Sequence, residues 1–233
     1  MDSNDVLAEK LNTAWKFFYR RGYIDGFGHL SARTSDPNRI LLARHNLEEE
    51  STPDDFALCD LDGNAIGHDK PLPGEAPIHF DIMKARPDVG AVAHFHVHHA
   101  TSFGMCDVPL KPTYFLASIF RSGVPVHPDS RLISDRQRGA EMVKTLGPHR
   151  AVILKAHGIV VVGRTVEDMT AATYILEDNA RRAFISATLG KLEFMGDAAM
   201  EEIEAEMIAS GGPFRRIWRL CEIEAAKADR ERG

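Results

Sequence analysis

The strongest constraint on the fold is a set of histidines that follow segments with strand character. His94-Phe95-His96 ends an apolar segment, and strand side chains alternate with a period of two, so both imidazoles lie on one face. His157 follows the strand-like residues 151–155 and precedes Gly158, which permits a close backbone approach. Three imidazoles at neighbouring strand ends can form a metal site with open coordination positions for a substrate.

Spacing alone leaves two interpretations of the first cluster open. His94 and His96 are either metal ligands, or the end of a strand followed by His98 and His99 at a helix start with no metal. His157 favours the first interpretation. The other isolated histidines carry no pattern and are interpreted as surface or hydrogen-bonded core residues: His45, His68, His127 and His149.

Composition and charge narrow the function classes. With 233 residues, 44% hydrophobic and 27% charged, the chain is predicted to form one globular domain over residues 1–233. A net charge of -6 argues against nucleic acid and an anionic membrane surface as partners, and no apolar stretch predicts a membrane span. Three cysteines without a C-x-x-C motif favour a reducing cytoplasm over a disulfide framework.

Helical and strand-like segments alternate along the chain. Helices are predicted over residues 5–21, 75–85, 134–146 and 165–189, with two more within 198–230. Strands are predicted at 30–33, 40–43, 57–61, 65–66, 91–96, 151–155 and 159–162. Ser134 and Thr165 are the expected N-caps of their helices, and Asp62-Gly63 predicts a hairpin turn. The charged stretches within 198–230 fit solvated helix faces, although Phe214, Trp218 and Ile223 are candidates for a subunit interface.

Several motifs together resemble the class II aldolase/adducin family. They are Gly28-His29-Leu30-Ser31-x-Arg33, Glu75-x-x-x-His79, Arg86-Pro87-Asp88 leading into Ala93-His94-Phe95-His96, and Ala156-His157-Gly158 followed by Val166-Glu167-Asp168. The resemblance implies an α/β fold, a three-layer α/β/α sandwich around a mainly antiparallel sheet, commonly assembled as a homotetramer. It makes His94, His96 and His157 the ligands of one divalent metal ion, usually zinc, sometimes manganese, cobalt or iron, and Glu75 the acid/base.

Departures from the sugar-phosphate aldolases of this family change the expected substrate. Their phosphate cradle is mostly missing, since His29 replaces an asparagine and Pro73-Gly74 replaces a pair of serines. Arg44 offers a planar fork for a carboxylate, and His29 and His79 can donate to acid or hydroxyl oxygens. Small-molecule carboxylates are therefore the expected substrates, and the expected substrate-binding residues are His29, Ser31, Arg44 and His79.

The pattern is similar to the branch of the family that decarboxylates hydroxylated aromatic dicarboxylates, such as dihydroxyphthalate or hydroxy-methylpyridine dicarboxylate. The hypothesis is a metal-dependent carbon-carbon lyase in which a metal-stabilised enolate or carbanion receives a proton from Glu75, a role that a raised pKa would suit. The alternatives are an aldolase for a non-phosphorylated hydroxy-keto acid, a metal-dependent oxygenase and a non-catalytic adducin-like binding module.

Overall fold

A seven-stranded sheet forms the middle layer of the computed structural model, which describes residues 2–24 and 26–230. Its strands are β1 (His29–Arg33), β2 (Arg39–Ala43), β3 (Phe56–Asp60), β4 (Ala91–Phe95), β5 (Val126–His127), β6 (Ala151–Leu154) and β7 (Gly158–Gly163). They lie in the order β3-β2-β1-β4-β7-β6-β5. Every neighbouring pair is antiparallel except β5 and β6. The prediction of a mainly antiparallel sheet is therefore confirmed.

Helices cover both faces of this sheet. They are α1 (Asn4–Arg20), α2 (Pro77–Ala85), α3 (His98–Ser102), α4 (Arg136–Leu146), α5 (Val166–Leu189), α6 (Asp197–Ser210) and α7 (Gly212–Arg230). One hydrophobic core joins the sheet to α1, α5 and α7, and a second core joins the opposite face to α2 and α4. The predicted three-layer α/β/α architecture is confirmed.

Strand alternation decides which layer receives the polar side chains. In β4, Ala93 and Phe95 face the core with α1 and α5, whereas Val92 faces the core with α2 and α4. His94 has the same parity as Val92 and lies directly opposite His29 of β1. Both imidazoles therefore project toward the layer that contains α2, where the site is built.

Local capping explains where the helices start. Thr165 accepts a hydrogen bond from the Asp168 N–H at 3.2 Å, as predicted for the start of α5. The predicted cap of α4 was wrong by one residue, because the Asp135 carboxylate, not the Ser134 hydroxyl, accepts the Arg138 N–H at 2.9 Å. Helix α2 starts at Pro77 rather than at residue 75, since proline suits the first helical position, where no N–H is needed.

The predicted strand at residues 65–66 does not form. Ala65 makes a single isolated bridge to Cys59. The Asp60 carboxylate accepts hydrogen bonds from the backbone N–H groups of Asp62 and Asn64. These side-chain bonds stabilise a turn in place of further strand pairing with β3.

The last helix packs on its own chain. Cys221 of α7 is buried with its thiol directed at the Thr13 carbonyl of α1, and Arg21 forms an ion pair with Glu224 at 2.6 Å. Ile223 is exposed, so an interface role for this helix stays a prediction. Among the described residues, no helix is both long and apolar enough to cross a membrane.

Candidate metal centre and active site

Four acidic and imidazole side chains converge where strand ends meet the start of α2. His94 lies on β4, His96 follows that strand, His157 lies in the turn between β6 and β7, and Glu75 precedes α2. One nitrogen or oxygen atom from each of these residues lies within 4.8 Å of the others. These residues are largely buried, so the cluster could hold a divalent metal ion away from bulk water.

The turn that carries His157 depends on small residues. Ala156 has a φ of 52°, a left-handed conformation that non-glycine residues seldom adopt. A Cβ atom on Gly158 would lie 2.5 Å from the Phe95 carbonyl oxygen and 2.8 Å from Cδ2 of His96. Gly158 therefore allows β7 to approach the two histidines of β4, as its position next to His157 led us to expect.

Hydrogen bonding leaves the inward nitrogen of His94 ready to bind a metal. His94 Nδ1 lies 3.0 Å from the Ile159 carbonyl oxygen, which only accepts, so the ring proton is on Nδ1. The lone pair of Nε2 then faces Glu75 Oε2 at 3.4 Å and His96 Nε2 at 3.2 Å. A cation between these acceptor atoms would relieve their mutual repulsion.

His157 gives a second indication that a cation fits. Both of its ring nitrogens are buried without a hydrogen-bond partner among the described residues. Nε2 lies 3.3 Å from Glu75 Oε2, close enough for an ionic contact but without hydrogen-bond geometry. A buried polar atom without a partner is unfavourable, and coordination of a metal ion by His157 would satisfy it.

Glu75 is held by one oxygen and directs the other at the histidines. Its Oε1 accepts the Ile133 backbone N–H at 2.7 Å, whereas Oε2 faces His94 and His157. Burial raises the pKa of Glu75, but in the metal-free site its contacts with the protonated forms of His157 and His94, together with the Ile133 N–H, outweigh burial and lower the pKa well below its ordinary value. The hypothesis of a raised pKa is thus wrong for the metal-free site, where Glu75 is a carboxylate.

A chain of buried polar groups leads away from the cluster. His29 Nδ1 lies 2.6 Å from His79 Nε2, and His79 Nδ1 lies 2.6 Å from Ser31 Oγ. Burial lowers the pKa of His79 to about 3 and, helped by the nearby His79 and His94 rings, lowers the pKa of His29 well below its ordinary value. Both rings are therefore neutral.

A cavity of about 370 Å³ opens beside the cluster. Its lining includes Glu75 and all three histidines of the cluster, together with His29, Arg44 and the residues Phe27, Asn46, Leu47 and Leu132. Ser31 and His79 are fully buried behind His29 and are not part of this lining. Of the predicted substrate-binding residues, the structure thus places His29 and Arg44 at the cavity and the other two behind it.

Arg44 is partly engaged already. Its Nε donates to Asp55 Oδ1 at 2.6 Å, and its Nη1 lies 3.3 Å from the carbonyl oxygens of His45 and Asn46. Nη2 makes no hydrogen bond to a described residue. Arg44 therefore keeps one guanidinium nitrogen available to a ligand in the cavity.

A larger cavity of about 600 Å³ lies elsewhere, beside the start of α5 and the helices α6 and α7. It is lined by arginines such as Arg150, Arg164 and Arg215 and by acidic residues such as Asp168. The histidine cluster does not line it, and Arg150 is already paired with Asp168 at 3.0 Å. Of these two cavities, the smaller is therefore the candidate active site, because its lining combines the cluster of Glu75 and three histidines with Arg44, whose Nη2 makes no hydrogen bond to a described residue.

The two histidines that follow the cluster in sequence, His98 and His99, lie at the start of α3 and outside the cluster. His98 begins α3, and His99 Nδ1 lies 2.7 Å from Glu177 Oε1 of α5. Glu177 also accepts the backbone N–H groups of His99 and Ala100, so it holds the start of α3 against α5. The interpretation of His98 and His99 as residues at a helix start agrees with this placement.

Sequence reasoning missed three contributors to the site. The backbone N–H of Ile133 holds Glu75, and the side chains of Phe27 and Leu132 lie at the cavity with 66% and 59% of their surface exposed. A backbone donor leaves no signal in the residue type. Phe27 lies between two glycines in a turn, and that pairing of an aromatic residue with flexible neighbours was the available signal.

Comparison with known proteins identifies the family. The description Class II Aldolase and Adducin N-terminal domain matches residues 9–184, so the chain belongs to the class II aldolase and adducin family. Members of this family usually bind a divalent metal ion, in agreement with the cluster of Glu75 and three histidines. The resemblance inferred from the motifs is confirmed.

Among curated proteins, the chain is similar to two decarboxylases. It is 32% identical over 200 residues to the 3,4-dihydroxyphthalate decarboxylase of Rhodococcus jostii, covering 78% of this chain and 82% of that protein. It is 28% identical over 237 residues to the 3,4-dihydroxyphthalate decarboxylase of Arthrobacter keyseri, covering 94% of each. These similarities confirm the prediction that the protein is an enzyme of the carbon-carbon lyase class, with decarboxylation preferred. The substrate stays a prediction.

Solved structures support the fold. The L-fuculose 1-phosphate aldolase of Glaciozyma antarctica superimposes with a TM-score of 0.83 at 22% identity, covering 97% of this chain and 92% of that one. At this identity the likeness concerns the fold. The homotetramer, the cytoplasmic location and the identity of the metal stay predictions.

Proposed function

We propose that this protein is a metal-dependent decarboxylase of a hydroxylated aromatic dicarboxylate, with a benzene or pyridine ring. The observation that carries the proposal is the juxtaposition of the metal cluster with His29 and Arg44 in one cavity of about 370 Å³. The cluster would bind one end of a substrate through a metal ion, and His29 and Arg44 would donate hydrogen bonds to a carboxylate at the other end. The similarity to two 3,4-dihydroxyphthalate decarboxylases supports the same substrate class.

The cavity is poorly suited to a phosphate. Pro73 and Gly74 line it where the sugar-phosphate aldolases carry hydroxyl groups, and neither side chain offers a hydrogen-bond donor. Phe27 and Leu132 add apolar surface that suits an aromatic ring better than a hydrated sugar. A planar ring with two carboxylates therefore fits both the polar and the apolar parts of the lining.

His94, His96 and His157 would hold the metal ion. When bound, a divalent ion supplies Lewis-acid stabilisation of the negative charge that develops on a substrate oxygen. Zinc and manganese are the expected ions, with cobalt or iron as alternatives. The three neutral imidazoles contribute no negative charge of their own, so they leave the electron-withdrawing character of the ion intact.

Glu75 acts as base and then as acid in this proposal. Its carboxylate takes the proton of the substrate hydroxyl through Oε2, the oxygen that the Ile133 N–H does not hold. When carbon dioxide leaves, the electron pair of the broken bond remains on the ring carbon. Glu75 then returns its proton to that carbon, so the reaction releases carbon dioxide and leaves Glu75 as a carboxylate.

His29 and Arg44 orient the remaining carboxylate. Nη2 of Arg44 and the cavity-side nitrogen of His29 are the donors that the described residues leave available. Fixing this carboxylate places the scissile one over the metal cluster and next to Glu75, which is a contribution of proximity and orientation.

The experiment is a substrate screen with metal-reconstituted protein. Hydroxylated benzene and pyridine dicarboxylates are compared with non-phosphorylated hydroxy-keto acids while carbon dioxide and aldehyde or pyruvate are measured. Carbon dioxide release from a dicarboxylate, lost after chelation and restored by the metal, is the expected result. Aldehyde or pyruvate formation without carbon dioxide would replace the proposal with an aldolase, which uses the same cluster.

A further inference from the structure

We propose that Ser31 and His79 are positioning residues that hold His29 in the tautomer with its proton on Nε2, so that His29 donates a hydrogen bond to the substrate carboxylate. This inference rests on the proposed function for the identity of the acceptor. It changes the role expected for Ser31 and His79, which the structure places behind His29 rather than at the cavity.

The three side chains form one unbranched hydrogen-bonded chain. Ser31 Oγ lies 2.6 Å from His79 Nδ1, and His79 Nε2 lies 2.6 Å from His29 Nδ1. Ser31 and His79 have no exposed surface, and His29 retains 6%. His29 Nε2 makes no hydrogen bond to a described residue, so it is the ring nitrogen that faces the cavity lined by His29.

The protons in this chain can run in only two directions. In the first, the Ser31 hydroxyl donates to His79 Nδ1, His79 Nε2–H donates to His29 Nδ1, and His29 carries its proton on Nε2. In the second, every donor is reversed, and His29 offers only a lone pair to the cavity. The direction of the whole chain thus decides whether His29 is a donor or an acceptor for a ligand.

The Ser31 hydroxyl decides between these directions. Its hydrogen is buried on β1, and His79 Nδ1 is its one hydrogen-bond partner among the described residues. In the reversed chain this hydrogen would have no acceptor, whereas in the forward chain each hydrogen has one. A buried donor without a partner is unfavourable, so the forward direction is the stable one, and it presents an N–H group to the substrate.

The first test measures the tautomer directly and requires no turnover. Protein with ¹⁵N-labelled histidine, loaded with zinc, gives long-range ¹⁵N–¹H correlations that separate protonated from unprotonated ring nitrogens. The His29 signals are assigned by their loss in His29→Gln. A protonated Nε2 and an unprotonated Nδ1 in His29 are expected, and the opposite pattern would overturn the proposal even if the substrate assignment were correct.

Variants of the two positioning residues test how the tautomer is set. Ser31→Ala removes the hydroxyl donor, so His79 is free to carry its proton on Nδ1, and the Nε2–H signal of His29 is expected to weaken. In His79→Gln, the Ser31 hydroxyl can donate to the amide oxygen and the amide N–H can donate to His29 Nδ1, so the Nε2–H signal of His29 should persist. In the double variant Ser31→Ala/His79→Gln nothing fixes the orientation of the amide, so the Nε2–H signal should weaken as it does in Ser31→Ala.

Steady-state kinetics on the dicarboxylate test whether the tautomer of His29 affects substrate binding. Ser31→Ala is expected to raise KM about tenfold, the loss of one charge-assisted hydrogen bond, with a smaller effect on kcat. His79→Gln alone should keep KM close to the wild-type value, and the double variant should match Ser31→Ala, because the Ser31 hydroxyl sets the direction of the chain in both backgrounds. Equal, additive losses from both single variants would assign Ser31 and His79 to packing and refute the inference. If no dicarboxylate is turned over, the proposed function fails, and the tautomer measurement still decides this proposal.

Discussion

The carboxylate of Glu75 accepts a hydrogen bond from the backbone N–H of Ile133, with Oε1 2.7 Å from the amide nitrogen. This bond comes from the segment that leads into α4, not from the sheet that carries the three histidines. Two parts of the chain that are distant in sequence therefore meet at the site, the strand ends on one side and the 128–134 segment on the other. Leu132, adjacent to the donor, lies at the cavity, so the segment that orients Glu75 also shapes the candidate active site.

The Glu75→Gln variant tests the acid/base role. The amide oxygen of glutamine can still accept the Ile133 N–H, whereas its NH2 group cannot exchange a proton with the substrate. We expect kcat to fall by a factor of about 10² to 10⁴ with the metal retained, measured by decarboxylation assays and elemental analysis of the same samples. Full turnover with bound metal would show that another group transfers the proton.

Loss of a histidine from the cluster should abolish metal binding. His94→Ala and His157→Ala each remove one of three imidazoles, and the remaining two cannot complete the site. We expect substoichiometric metal after dialysis and no measurable activity. His99→Ala is the matched control, because His99 bonds to Glu177 outside the cluster and should leave the metal content unchanged. Full metal content in both cluster variants would refute the triad.

Acid should destabilise the metal-free protein through His79. Its pKa is about 3 in the folded protein against an ordinary value of 6.5. Between these values the unfolded chain binds a proton that the folded chain does not, so the free energy of unfolding falls as the pH falls. One such group contributes about 1.4 kcal/mol per pH unit, or about 2 kcal/mol from pH 7 to pH 5.

Urea titrations of the wild type and of His79→Gln over this range measure the effect. Glutamine does not titrate, so the stability of the variant should fall less steeply between pH 7 and pH 5. The slopes are compared rather than the absolute stabilities, since the substitution itself changes packing. Identical slopes would show that burial does not depress the pKa of His79.

The close approach of β7 to β4 predicts a strong effect of a single methyl group. In Gly158→Ala, the new Cβ would meet the Phe95 carbonyl at 2.5 Å and His96 Cδ2 at 2.8 Å, so the backbone next to His94 and His96 must shift. We expect a loss of about 1–3 kcal/mol in the free energy of unfolding and weaker metal affinity. Gly196→Ala is the control, because no atom lies within 4 Å of its Cβ position. Denaturant unfolding and metal titration measure both effects.

The sequence predicts the features that arise from local periodicity and capping. The spacing of His94 and His96 predicted that both rings converge at the end of β4, and Thr165 with Asp168 marked the start of α5. It could not predict β5, since two residues are too short for a periodic signal and their partner β6 is distant in the chain. The burial of Ser31 and His79 behind His29 likewise depends on how α2 docks on β1, a tertiary relationship without a local signature.

Arg44 should control the affinity for the dicarboxylate rather than the chemical step. The ion pair between its Nε and Asp55 Oδ1, at 2.6 Å, fixes the plane of the guanidinium and so the direction of Nη2. A lysine ammonium at this position would be a mobile point charge. Arg44→Lys is expected to raise KM about tenfold to a hundredfold with kcat nearly unchanged, since the charge is kept and the geometry is lost.

Asp55→Asn tests the orientation of the guanidinium separately. The guanidinium keeps its charge but loses its ion pair, so KM should rise by less than in Arg44→Lys. Steady-state kinetics with a dicarboxylate and with its monocarboxylate analogue complete the test, because a substrate that lacks the second carboxylate should show the same KM in wild type and variants. An equal loss for both substrates would mean that Arg44 supports the cavity wall and does not bind the carboxylate.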